Sequence, residues 1–122
     1  MILNHISLGT EDVGLAATFY DAVLETLSIK RTHSIEGVAI AYGEQFEFWV
    51  GLPTEGRPTA GNGVHIAFNA PDRQAVDKFY QVALNHGATC EGKPGLRPEY
   101  GETYYAAFVR DLDGNKIEAV NS

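Results

Sequence analysis

The chain of 122 residues contains one cysteine, one tryptophan and one methionine. A single cysteine excludes an intrachain disulfide and a Cys-rich zinc site, and leaves Cys90 expected as a small buried hydrophobe. Basic residues are few, 9 against 16 acidic ones, so the formal net charge is −7 and the pI near 4.9. Such a surface repels duplex nucleic acid and anionic membranes, which leaves a small molecule or another protein as the expected partner. No apolar run is long enough to cross a bilayer, and Met1-Ile2-Leu3-Asn4-His5 has no basic region followed by a long apolar stretch. The expected location is therefore cytoplasmic.

What the chain does have is an internal repeat. His5-Ile6 recurs as His65-Ile66, Asp12 as Asp72, Phe19-Tyr20 as Phe79-Tyr80 and Leu24 as Leu84, all 60 residues apart. Self-similarity at a fixed offset marks a duplicated module, and it brings a metal-capable imidazole to the same place in both copies.

Each copy reads βαβββ. In the first, Ile2 to Leu8 alternates as a strand, and Thr10 or Asp12 caps a helix with Leu15, Phe19, Ala22, Val23 and Thr26 on one stripe. Strands are expected near Ile29 to Ser34, Val38 to Tyr42 and Phe46 to Gly51. The second copy has a strand at Val64 to Asn69 and a helix capped by Asp72 that ends at Gly87. Its remaining strands are expected around Ala88 to Glu91, Thr103 to Val109 and Lys116 to Val120, with Asp113-Gly114 turning the last hairpin. Gly92 to Gly101 is too rich in proline and glycine for a strand interior and reads as a loop. The expected class is α+β: a first module over residues 1–52, a breaker-rich linker over 53–63 and a second module over 64–122, forming one compact domain.

Each half also ends in a strand carrying a carboxylate among apolar neighbours, Glu47 between Phe46 and Phe48, and Glu118 between Ile117 and Ala119. Strand alternation points each carboxylate to the side of its own histidine, with Glu47 and Glu118 as counterparts and the extra length of the second half in the Gly92 to Gly101 loop. Imidazole nitrogens and carboxylate oxygens suit a first-row divalent ion, Mn, Fe, Co, Ni or Zn, with open positions for a substrate. A lone strand histidine is ordinarily a surface or hydrogen-bonded residue, but the repetition favours ligation by His5, His65 and Glu118. Glu47 is equally read as an ordinary solvent-facing strand residue. His33 and His86 have no repeat partners and read as structural. Trp49, Tyr100 and Tyr104 are candidates to line a substrate pocket, and Lys93 and Arg97 to bind an anionic substrate group from the inserted loop.

Through Asn4-His5-Ile6-Ser7-Leu8, Gly63-Val64-His65-Ile66-Ala67-Phe68 and the run from Tyr105 to Glu118 with its Asp111-x-Asp113-Gly114-Asn115-x-Ile117-Glu118 ending, the chain resembles the vicinal oxygen chelate superfamily. That superfamily includes glyoxalase I, extradiol dioxygenases and the fosfomycin- and bleomycin-resistance proteins. The resemblance implies two βαβββ modules whose sheets curl around a metal-centred cleft, often within a homodimer. It also implies a His5, His65, Glu118 ligand triad, with Glu47 as a fourth ligand or a general base.

The implied activity is that of a metal-dependent enzyme whose ion chelates neighbouring oxygens of a small substrate. Two alternatives stay open: a metal-free antibiotic- or toxin-binding protein of the bleomycin-resistance type, and glyoxalase I itself. Against the last, Ser7, Leu8 and Gly9 stand where glyoxalase I generally has an arginine for glutathione.

Overall fold

The computed structural model describes residues 2–122. Ten elements alternate as two copies of one plan: β1 (Ile6–Gly9), α1 (Val13–Glu25), β2 (Arg31–Ile35), β3 (Ala39–Tyr42) and β4 (Phe48–Gly51), then β5 (His65–Asn69), α2 (Arg73–Asn85), β6 (Thr89–Leu96), β7 (Tyr105–Arg110) and β8 (Lys116–Asn121). Each copy builds a four-stranded sheet, in the orders β1-β4-β3-β2 and β5-β8-β7-β6. In both, the first strand lies parallel to the last and the remaining pairs are antiparallel.

The two helices start by the same device. The Asp12 carboxylate accepts the Leu15 N–H at 3.0 Å, and the Asp72 carboxylate accepts the Ala75 N–H at 2.7 Å. Each satisfies a donor that the first helical turn leaves without a partner. The repeat in sequence is thus a repeat in structure, down to its caps.

Helical periodicity sets what each helix buries. In α1 the buried stripe is Val13, Ala16, Phe19, Tyr20, Val23 and Leu24, and in α2 it is Ala75, Val76, Phe79 and Ala83. Leu15, expected in the α1 stripe, is 60% exposed, because the true stripe starts at Val13 and takes i+3 and i+4 steps that pass it by. Cys90, expected inside, is exposed on β6.

Both helices and the helix-facing side of both sheets contribute to one continuous core, with Phe48 and Phe68 meeting edge to face at 4.9 Å. The opposite side of each sheet stays free of helix and carries the candidate functional residues.

The second half differs from expectation between Gly92 and Leu96. That segment is extended and pairs with β7 through Gly92–Phe108 and Gly95–Ala106, with register shifts on either side of Gly92. It is an edge strand, and bulges at an edge accommodate Pro94, whose missing N–H would break an interior ladder.

The Asp111–Asn115 turn joins the modules. Asp111 Oδ1 accepts the N–H groups of Asp113 and Asn115, at 2.9 and 2.8 Å, which shapes the tight turn before β8. Asn115 then donates to the Gly9 carbonyl at 3.0 Å, and Asp113 accepts the Glu11 N–H at 3.0 Å. The Tyr20 hydroxyl donates to Asp111 Oδ2 at 2.5 Å. The most distinctive stretch of the sequence is a latch from the second module onto the first.

Candidate metal and substrate site

Strand register decides which residues are equivalent. Ile6 faces Phe48 in the first sheet, whereas Ile66 faces Ile117 in the second. Glu47 therefore corresponds to Lys116, the cross-strand neighbour of His65, and Glu118 corresponds to Trp49. The expectation that Glu47 and Glu118 are counterparts is corrected: they lie on corresponding faces, one alternation apart, because a shift of two residues preserves the face.

His65 and Glu118 do converge. His65 Nε2 lies 3.1 Å from Glu118 Oε1, and the Glu118 side chain is 2% exposed while that of His65 is 44% exposed. The Tyr104 hydroxyl donates to Glu118 Oε2 at 2.6 Å. Each carboxylate oxygen thus has one partner, which a carboxylate this deep in the protein requires. Burial, followed by the hydrogen bond to Glu118 and its charge, pushes the Tyr104 phenol up to about 12.

That raised value has a measurable consequence. A phenol whose native pKa exceeds its unfolded one contributes stability that is complete below about pH 10 and is lost as pH climbs toward about 12. Ultraviolet titration of phenolate in the wild type should show one late-ionising tyrosine more than in Tyr104→Phe. In Glu118→Gln that tyrosine should ionise earlier, and an unmoved titration in both variants would contradict the pairing.

His5 and Glu47 lie together at the other end of the repeat. Ile6 N–H donates to the Glu47 carbonyl at 2.9 Å, which sets the residues immediately before β1 and β4 side by side. Both line a cavity of about 440 Å³ with Asn4, Tyr42 and Ala67. His5 Nδ1 is 2.7 Å from the Asn4 side-chain oxygen, and Glu47 Oε1 accepts the Gln45 N–H at 2.7 Å. The Glu47 side chain folds over Gly43, where a Cβ would sit 2.4 Å from Oε1 and where φ is +97°, so only glycine fits.

The other candidates divide. Arg97 and Tyr100 line a recess of about 250 Å³ that includes His65, Phe108 and Lys116. Tyr104 packs edge to face on Tyr100 at 5.3 Å. Trp49 lies on the helix-free side of the first sheet, its indole N–H donating to the Phe46 carbonyl at 2.8 Å and its ring edge on to His33. Lys93 contributes a backbone carbonyl to Arg97 Nη2 at 2.7 Å, while its side chain is solvated. His86 caps α2, its Nδ1 2.9 Å from the Val82 carbonyl oxygen, a structural role as expected. Lys116 and Phe108 went unnoticed in the sequence, although alternation along β8 already sets Lys116 on the face of Glu118.

Among the described residues, one chain assembles no group of three or more His, Cys, Asp or Glu side chains able to hold an ion. His65 with Glu118, and His5 with Glu47, are two half-sites. Each is chemically suited to a borderline divalent ion, since imidazole nitrogen and carboxylate oxygen are its preferred donors.

The family model of the Glyoxalase/Bleomycin resistance protein/Dioxygenase superfamily matches residues 2–119. The chain belongs to this superfamily. A solved structure of a glyoxalase/bleomycin resistance protein from Albidiferax ferrireducens T118 is 31% identical over the whole of both chains, with a TM-score of 0.92. A superfamily enzyme from Burkholderia phytofirmans PsJN is 19% identical over 97% of this chain and 96% of its own, TM-score 0.73. A lactoylglutathione lyase from Agrobacterium tumefaciens is 18% identical over 98% and 92%, TM-score 0.66. At those identities the last two share the fold alone. A comparison with curated proteins finds no match. Membership agrees with the α+β architecture of paired βαβββ modules.

Proposed function

We propose that this superfamily member is a metal-dependent enzyme acting on a small substrate held through neighbouring oxygens, with His5, His65 and Glu118 as ligands and Glu47 as a fourth ligand or general base. The observation that carries this reading is the buried Glu118 carboxylate facing His65 Nε2 at 3.1 Å on a helix-free sheet face. A carboxylate that deep and aimed at an imidazole is costly unless it serves a partner, and a divalent ion is the partner both groups share.

The second half-site, His5 with Glu47, completes the set when two chains meet. Leu3, Phe46, Leu52 and Val64 flank the helix-free faces and remain about half exposed, which supports a homodimer that covers them. A bound ion supplies Lewis-acid stabilisation of negative charge developing on substrate oxygen. The chain's own residues do the rest. The phenol of Tyr104 keeps its proton and holds Glu118 in one orientation through Oε2. Glu47 engages Oε1 with the Gln45 N–H and leaves Oε2 to take a substrate proton. The aromatic groups Trp49 and Phe46 flank the first-module face and exclude water from it.

Titration of metal-free protein with Mn, Fe, Co, Ni and Zn tests this. One ion per chain is expected, with stabilisation of about 2.7 kcal/mol at a free concentration 100 times the dissociation constant. A melting temperature indifferent to all five ions removes the proposal.

A further inference from the structure

We infer that the recess beside His65 is a subsite for a small oxyanion, a carboxylate or phosphonate carried by the substrate, held by the Lys116 ammonium and Arg97 against the Phe108 ring. Only the placing of that anion on a substrate rests on the function proposed above; the subsite stands on its own geometry.

Where the first module presents Glu47 beside its histidine, the second presents Lys116 beside His65. The ammonium lies 5.3 Å over the Phe108 ring, and the Arg97 guanidinium lies 5.5 Å over the same ring. Two cations on one aromatic side chain, neither paired with a carboxylate among the described residues, repel each other unless an anion lies between them.

The remaining acids of the recess are largely engaged. Glu91 pairs with Arg110 at 3.1 Å, and both Glu118 oxygens are held by His65 and Tyr104, which leaves Glu99 as the one uncompensated carboxylate.

The arginine is fixed in place. Its Nη1 donates to the Gly95 carbonyl at 2.9 Å and its Nη2 to the Lys93 carbonyl at 2.7 Å, so the bulged edge strand holds the guanidinium and leaves its Nε–H uncommitted. A Cβ on Gly92 would stand 3.0 Å from Phe108 Cδ1 and 3.1 Å from Arg97 Nη2, so the glycine provides the room in which Arg97 lies flat on the ring. A planar, oriented guanidinium and a mobile ammonium next to a half-exposed imidazole form a site that recognises a compact oxyanion.

Metal-free protein titrated with acetate, methylphosphonate and acetamide at constant ionic strength, followed by backbone amide shifts at Gly92, Phe108 and Lys116, tests the subsite. Saturable shifts are expected with at least one anion and none with acetamide, and which anion binds identifies the group. Lys116→Met should weaken binding about 10-fold or more, the loss of one charge-assisted hydrogen bond, while Lys116→Arg retains it. Gly92→Ala should weaken it too by displacing Arg97. Anion binding indifferent to Lys116→Met, equal binding of acetamide, or no binding of either anion overturns the inference. Because no metal is present, these outcomes are independent of the metal titration that tests the proposed function.

Discussion

Mixing His5→Ala with His65→Ala protein should restore metal binding that neither variant has alone. Each single variant lacks one imidazole in every site, and losing a direct ligand should weaken the ion by at least the roughly 100-fold that loss of a supporting hydrogen bond can cost. If His5 and Glu47 of one chain meet His65 and Glu118 of another, a mixed dimer has one site lacking both histidines and one site with all four ligands. Random reassortment makes half the dimers mixed, so about a quarter of the wild-type sites return. A site built within one chain gives no recovery, because every chain in the mixture lacks a ligand. The separation of the four candidates into two pairs, with no ligating group of three in one chain, motivates the expectation. Metal content after unfolding and refolding the mixed variants measures it. Sedimentation as a monomer at micromolar concentration would falsify the two-chain arrangement outright.

The parts of this molecule that local rules govern were legible in its sequence. Asp12 and Asp72 cap their helices because capping depends on three or four adjacent residues, and the repeat offset survives folding because both modules obey the same local rules. His65 and Glu118 were predicted to share a face, and they meet, since alternation within a strand is local as well.

What depended on contacts between distant strands was not legible. The pairing of Glu47 with Glu118 as equivalents failed because cross-strand register is set by turns and bulges, here those around Gly92. The same bulges turned an expected loop into an edge strand. Tyr104 was listed as a pocket aromatic, but its bond to Glu118 requires the β7–β8 pairing that sequence spacing alone does not specify.

The Asp111-x-Asp113-Gly114-Asn115 run is the clearest case of a motif whose physical role only the fold discloses. Read in sequence it identified the superfamily; in structure its side chains reach Gly9, Glu11 and Tyr20 of the other module. It also delivers the chain into β8, so the same turn that joins the modules sets where Lys116 and Glu118 fall relative to His65.

Replacing Asp111 by alanine should therefore be the most damaging single change outside the core, about 3–5 kcal/mol, with the second half-site lost alongside. The side chain is buried and accepts four hydrogen bonds, from Tyr20, the Asp113 and Asn115 backbone, and the Asn115 amide. Removing it strands those donors without water to replace it, and each buried orphan costs about 1–3 kcal/mol. Asp111→Asn keeps the two backbone bonds through Oδ1 but turns an amide N–H toward the Asn115 amide, so a smaller loss is expected.

The two substitutions also separate by pH. Burial raises the Asp111 carboxyl above its ordinary value, with the bonds from Tyr20 and Asn115 opposing that shift only in part. A raised native pKa means the folded protein binds this proton more tightly than the unfolded chain does. The contribution of Asp111 is then complete below the ordinary aspartate value near 3.8 and declines as pH rises through the native one. The stability difference between wild type and Asp111→Asn, measured by urea unfolding across that window, should accordingly shift in favour of the wild type as the pH falls. A loss under about 1 kcal/mol for Asp111→Ala, or a difference that runs the other way with pH, would show that the turn is not the latch between the modules.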